Sequence, residues 1–214
     1  MSWLYDLALT ALYFTGFAVI HTITASKWMK RLAAVSFPGF MPWYRLSYNI
    51  ISLVTLYIFY DLSPKNGYTI YDLPTPVDLV FAGLQFLCFT GMGWVFRYIS
   101  GREFMGMAQP FRGMKGSYRP LQDLDETAPL RIEGPYRFSR HPLYLFCILF
   151  LALRPQMQVD YLFFVLVITA YFYIGSIFEE RKLVEEYGET YINYQKSVGR
   201  IFPKVLGRFV KAEG

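Results

Sequence analysis

Two phrases of this 214-residue chain set charge directly against apolar runs, in residues that can do chemistry. The first, GPYRFSRHPLYLF over 134–146, carries Arg137, Arg140 and His141 among glycine and proline and then turns apolar. The second begins with Glu179 and Glu180, where an apolar run ends. Pro142 suits the first turn of a helix, where its missing N–H costs nothing, so Arg140 and His141 fall at a helix N-terminus. Free N–H groups and the positive end of the helix dipole make such a place receptive to a carboxylate or phosphate. Basic flanks touching lipid phosphates would explain the arginines equally well, but Lys or Arg would serve that task better than His141. Carboxylates at a membrane edge are costly unless they meet a cation or a polar ligand, so Glu179 and Glu180 require a partner. His21, in HTITAS near the end of the first apolar run, is a third ionisable position in a hydrophobic interval. Such a residue is either functional or an interfacial side chain reaching water.

Other chemistries are poorly supported. Two histidines give no zinc spacing, and no metal ligand set is expected. Cys88 and Cys147 both lie within apolar runs and read as small core residues rather than a disulfide. Nucleophile-elbow, phosphate-loop and dinucleotide-binding patterns are absent. Any reaction must therefore run on an Arg/His/Glu/Tyr set with a bound cosubstrate.

The elements that would position this set are membrane helices. Only 17% of residues are charged and 54% are hydrophobic, against about 25% charged in soluble domains. Five intervals without Asp, Glu, Lys or Arg are candidate spans: 7–26, 46–60, 79–96, 142–153 and 161–178. A spanning helix needs about 20 apolar residues, or about 17 at the short end. The first, third and fifth meet that length. The second can be extended by Arg45 and Asp61 reaching the interfaces. The fourth pairs with the fifth as a tight helical hairpin with Pro155 at its turn. Glu179–Tyr187 should continue the last helix to a cap at Gly188, with a short helix over about 189–198 behind it. The fold class is thus all-α, a polytopic bundle of about five transmembrane helices with a cytoplasmic cosubstrate pocket. We read 1–214 as one domain: 1–96 with three helices, 97–140 connecting, 141–178 the hairpin, and 179–214 a tail completing the pocket.

Basic residues set the orientation. Lys27, Lys30, Arg31 and Arg45 follow the first run, eight basic residues lie in 97–140, and seven follow 179, whereas the loops between are poor in them. The positive-inside rule then puts the N-terminus outside and the C-terminus in the cytoplasm. The formal charge of +5 belongs to these loops, and no nucleic-acid motif accompanies it. A signal peptide is not expected, because residues 1–6 lack a positive charge and no cleavage site follows.

The pairing of GPYRFSRHPLYL with EERKLVEEYGETYINYQKSVGRIFP resembles the isoprenylcysteine carboxyl methyltransferase-like membrane methyltransferases. Gly134, Tyr136, Arg140, His141, Pro142 and Tyr144 fill the first part of that pattern. Glu179, Glu180, Leu183, Tyr187, Gly188, Tyr191, Tyr194 and Pro203 fill the second. In the N-terminal half, HTITASKW, YRLSYNIISL and REFMGMAQ look like the bacterial methanethiol S-methyltransferases and their nitrogen-oxide-linked relatives.

The resemblance implies S-adenosylmethionine as methyl donor. Its pocket would be lined by Gly134, Pro135, Tyr136, Arg140, His141, Tyr144, Glu179, Glu180 and Tyr191. Glu179 or Glu180 would suit the ammonium or ribose hydroxyls, and Arg140 or His141 the carboxylate. Catalytic candidates are His141, Arg140, Glu180 and His21. The acceptor would be a small thiol or a lipophilic molecule, with membrane lipids as the surroundings and a bacterial inner membrane favoured over endoplasmic reticulum. Alternatives are a carboxyl or lipid N-methyltransferase, a sterol-type reductase using a nicotinamide cofactor, or a non-catalytic membrane protein retaining the fold.

Overall fold

The computed structural model describes residues 2–65, 67–124 and 130–204. The chain is mostly helical. In order it forms α1 (Ser2–Ala25), α2 (Lys27–Ser36), a 3-10 turn (Pro38–Phe40), α3 (Met41–Leu62), β1 (Thr69–Asp72), α4 (Val77–Val95), α5 (Gly101–Phe104) and α6 (Ala108–Met114). A second 3-10 turn (Gly134–Arg137), α7 (Pro142–Ala152), β2 (Gln156–Gln158), α8 (Val159–Tyr187) and α9 (Glu189–Ser197) follow. Within α1, α4 and α8, Trp3–Ala25, Val77–Val95 and Val159–Tyr187 are long and apolar enough to cross a membrane. The interval 46–60 lies in α3, which is 22 residues long, while α7 has only 11.

Residues group into two compact units, Met1–Asn66 with Ile99–Ala128 and Gly67–Tyr98 with Pro129–Gly214. The linear partition of the sequence did not anticipate this grouping, which divides the 97–140 segment. In the first unit α1 packs along α3, with Gly16 against the Phe59 ring and Tyr13 stacked on the same ring. Thr10, Thr15 and Thr24 return their hydroxyls to carbonyls one turn back, so these polar groups are satisfied within an apolar helix. α5 and α6 are joined by a bidentate ion pair from Arg112 to Glu103, 2.7 and 3.1 Å. Gly106, at φ +81°, lies so close to the Leu46 backbone that a Cβ there would collide with it.

In the second unit α4 packs on α7, where Gly91 makes room for the Phe146 ring. The turn expected to be a plain helical hairpin at 154–160 contains a strand instead. β2 pairs antiparallel with β1, matching Thr69 with Gln158, Tyr71 with Met157 and Asp72 with Gln156. This short ribbon is an addition to an otherwise helical layout. Its physical reason is local: the extended connections before α4 and α8 satisfy each other's backbone groups. α8 has 29 residues, about 43 Å at the helical rise, longer than a bilayer's apolar core of about 30 Å. Its charged last three turns therefore extend past its apolar run. Gly188, at φ +55°, ends it with its N–H on the Val184 carbonyl, and α9 begins directly after. Residues 205–214 of the tail, including Arg208 and Lys211, lie outside the described residues.

Candidate functional site

The site grows from a backbone zipper. Gly134, at φ +57°, takes a left-handed conformation, and the Tyr98 ring occupies the space where a Cβ would stand. Only glycine fits both conditions. Pro135 is buried, and the turn it starts leads to Ser139, which forms a parallel bridge with Gly199. The Arg140 N–H donates to the Gly199 carbonyl at 2.9 Å, and the His141 N–H to the Arg200 carbonyl at 3.0 Å. Ser139 Oγ donates to that same Arg200 carbonyl at 3.2 Å. The phrase before α7 is thus stitched to the segment after α9.

This stitching puts Arg140 over the side of α8. Glu180, only 2% exposed, receives Arg140 Nε on Oε1 at 2.8 Å and Nη2 on Oε2 at 3.0 Å. The remaining terminal nitrogen of Arg140, Nη1, donates to the carbonyls of Gln195 and Val198 at 2.9 and 2.6 Å. Gln195 Nε2 and Arg200 Nη2 reach Glu180 Oε2 at 2.9 and 3.2 Å. A buried carboxylate is tolerable only when paired and hydrogen-bonded, and here α7, α8 and α9 each contribute to or flank the pairing.

His141 completes the arrangement. Its Nε2 lies 3.1 Å from Glu180 Oε1 and its Nδ1 3.3 Å from Glu179 Oε2. Burial alone would lower the pKa of His141, but the hydrogen bonds and charges of Glu179 and Glu180 outweigh it and leave the pKa raised. Carboxylates accept and do not donate, so Nε2 presents a ring N–H to Glu180. Tyr144 stacks on His141 and on Phe172, with centroids 5.3 and 4.5 Å apart, and its hydroxyl donates to Glu179 Oε1 at 2.5 Å. Glu179 itself is 50% exposed. The result is one buried carboxylate, Glu180, and one open carboxylate, Glu179, with His141 between them.

The structure therefore brings together Arg140, His141, Tyr144, Glu179 and Glu180. Gly134 and Pro135 shape the approach, and the Tyr136 carbonyl accepts from the Tyr194 hydroxyl at 2.6 Å. Burial, then the charge of Glu179, pushes the Tyr136 phenol up to about 12. Tyr191, expected to line the pocket, is 1% exposed and packs in an apolar cluster with Tyr194 and Val198. Arg140 and Glu180, expected to divide ligand groups between them, also pair with each other. His21 lies in the first unit, where Nδ1 is 2.9 Å from Ser52 Oγ and Nε2 2.7 Å from the Tyr48 hydroxyl. Ser139, Gln195 and Arg200 were not singled out in the sequence. Their only signal there was membership of the two matched phrases.

The described chain is thus mostly helical, with three helices long and apolar enough to cross a membrane and a buried Arg–Glu–His cluster at the charged end of one. The chain is 31% identical over 207 residues to the methanethiol S-methyltransferase of Pseudomonas deceptionensis, covering 95% of itself and 75% of that relative. It is 29% identical to methanethiol S-methyltransferase 2 of Bradyrhizobium diazoefficiens, over 90% of itself and 71% of that protein. It is 30% identical to the methanethiol S-methyltransferase of Crocosphaera subtropica, over 87% and 71%. The chain belongs to the methanethiol S-methyltransferase family. No family profile and no solved structure matches it.

Proposed function

We propose that the chain is an integral membrane enzyme that transfers a methyl group from S-adenosylmethionine to a small thiol of the methanethiol type. The relatives' names supply the reaction and the acceptor class. The observation that carries the reading is the open carboxylate of Glu179, fixed by His141 and Tyr144 above a buried knot. S-adenosylmethionine, when bound, supplies an electrophilic methyl on a sulfonium, together with an ammonium, a carboxylate and ribose hydroxyls. The donor set fits it. Glu179 has two oxygens, each already oriented by one donor, and a carboxylate accepts about four hydrogen bonds, so capacity remains for an ammonium or hydroxyl. Arg200, 26% exposed and spread over the Tyr173 ring, offers guanidinium N–H groups to a carboxylate.

The residues then divide by task. Arg140, Glu180 and Gln195 hold the ends of α7, α8 and α9 in place. Held between Glu179 and Glu180, which raise its pKa against burial, His141 orients Glu179. His21 stays a proposed base, its ring held between Ser52 Oγ and the Tyr48 hydroxyl within the first unit. Five crossings, by α1, α3, α4, α7 and α8, suit the basic-loop pattern, with the C-terminus cytoplasmic in a bacterial inner membrane. α7 is about 16 Å long and needs the protein around it to cross.

The test is thermal melting of detergent-purified protein with S-adenosylhomocysteine, S-adenosylmethionine and NADPH separately, followed by headspace detection of dimethyl sulfide from methanethiol. A ligand at 100 times its Kd stabilises by about 2.7 kcal/mol. A shift with the adenosyl ligands and a methylated thiol are expected. A shift with NADPH alone, or none from folded protein, overturns the reading.

A further inference from the structure

The segment joining α1 to α3 presents a surface of its own. Ser26 stands in an extended conformation and caps α2 by accepting the Met29 N–H at 3.2 Å, so α2 starts anew and does not prolong α1. Its ten residues divide by helical period. Ala34 is buried, and Met29, Lys30 and Ala33 are partly covered beside it. On the opposite side Trp28, Leu32 and Val35, spaced i, i+4, i+7, form one exposed apolar stripe, with Trp28 66% and Val35 72% exposed. Lys27 and Arg31, spaced i, i+4, are exposed along one flank of that stripe. Phe37, Phe40 and Trp43 continue the exposed apolar rim past the end of α2. From residue 7 to residue 60 the sequence has no Asp or Glu, so nothing acidic on this stretch of chain offsets the cations.

An apolar stripe bordered by basic side chains, on a helix beginning where a membrane-type helix ends, matches the physics of helices that lie in the bilayer interface. We propose that α2 docks on anionic phospholipid, with Lys27 and Arg31 on the headgroup phosphates and Trp28, Leu32 and Val35 in the acyl boundary. This rests on the membrane setting of the proposed function. A protein partner would need acidic groups to meet the same flank, and a zwitterionic lipid surface would give the cations no net attraction. The anionic surface satisfies both the stripe and the charges.

The test reconstitutes the full chain in phosphatidylcholine vesicles with trace spin-labelled phosphatidylglycerol or spin-labelled phosphatidylcholine, and reads the motionally restricted lipid by electron paramagnetic resonance. Native protein should prefer the anionic label by about fivefold or more, the worth of one basic residue at such a surface. The double variant Lys27→Gln/Arg31→Gln should bring the preference close to unity while retaining its helical circular dichroism, as should about 0.5 M salt, which shortens the screening length to a few ångströms. Lys65→Gln, a cation beyond the other end of α3 already paired with Asp61, should leave the preference unchanged. Equal restriction of both labels by native protein, or a preference that survives the double variant, overturns the proposal while the membrane setting stands. No restricted lipid of either kind overturns the membrane setting and the proposal with it.

Discussion

The two histidines of the chain occupy opposite chemical settings. His141 has a carboxylate at each ring nitrogen and guanidinium groups beyond one of them. His21 has hydroxyls, from Ser52 and Tyr48, and aromatic rings, from Phe17 and Tyr48. The carboxylates of the first setting raise the pKa of His141 against its burial, whereas the second offers the His21 ring only neutral partners. One residue type is thereby set once among charged groups and once among neutral hydrogen-bonding groups.

The comparison breaks most sharply at Glu180. Glu180→Ala leaves Arg140 and His141 buried without their shared carboxylate, and losing one partner of a buried pair costs about 3–5 kcal/mol. Urea or thermal unfolding in detergent should show that loss, whereas Arg140→Met/Glu180→Leu should recover much of it. If the single variant is as stable as the parent, the knot is not what holds α7, α8 and α9 together. Glu179→Gln should do the reverse. With Glu179 half-exposed, unliganded stability changes by under about 1 kcal/mol, while affinity for S-adenosylhomocysteine by calorimetry falls roughly 10- to 100-fold, the worth of a charge-assisted hydrogen bond.

The pH dependence separates the histidines themselves. Because the pKa of His141 is raised in the folded state, its contribution to stability is full below the unfolded value near 6.5. It is then lost as pH rises through the higher folded value. A melting series from pH 5.5 upward should slope down across that window in the parent and flatten in His141→Gln. His21→Asn should retain the slope. The smallest effect belongs to Tyr48→Phe, which removes one hydroxyl from a partly buried cluster and should cost about 1 kcal/mol. A loss as large as that of Glu180→Ala would mean that the His21 cluster is as tightly held as the knot.

Much of the helical layout was legible in the sequence because it depends on local chemistry. The charge-free intervals 7–26, 79–96 and 161–178 became helices, and the stop at Gly188 followed from its neighbours. The RHP and EE phrases could be singled out by residue type, since buried charge demands company. Which company could not be read, because Arg140 takes two backbone carbonyls, at Gln195 and Val198, that carry no mark in sequence. Gln195 and Arg200 were hidden for a related reason: a solvated tail would use the same residues. The β1–β2 ribbon joins segments 84 residues apart at Asp72 and Gln156, and neither alone has the length of a persuasive strand. Tyr191 could not be placed from sequence, because a tyrosine on a short helix reads equally as ligand contact or as core.

The backbone zipper between 139–141 and 199–200 also bears on synthesis. The ribosome makes the Arg140–His141 segment some 60 residues before the carbonyls and side chains that clamp it. Until residues 195–200 emerge, α7 and α8 can be in place while Arg140 lacks its carbonyl partners and Glu180 lacks two of its donors. A chain interrupted at Gly188 would hold its apolar helices yet have no finished site. Closure of the cluster thus reports that translation has passed residue 200, and a shorter chain leaves Arg140 and Glu180 only partly paired.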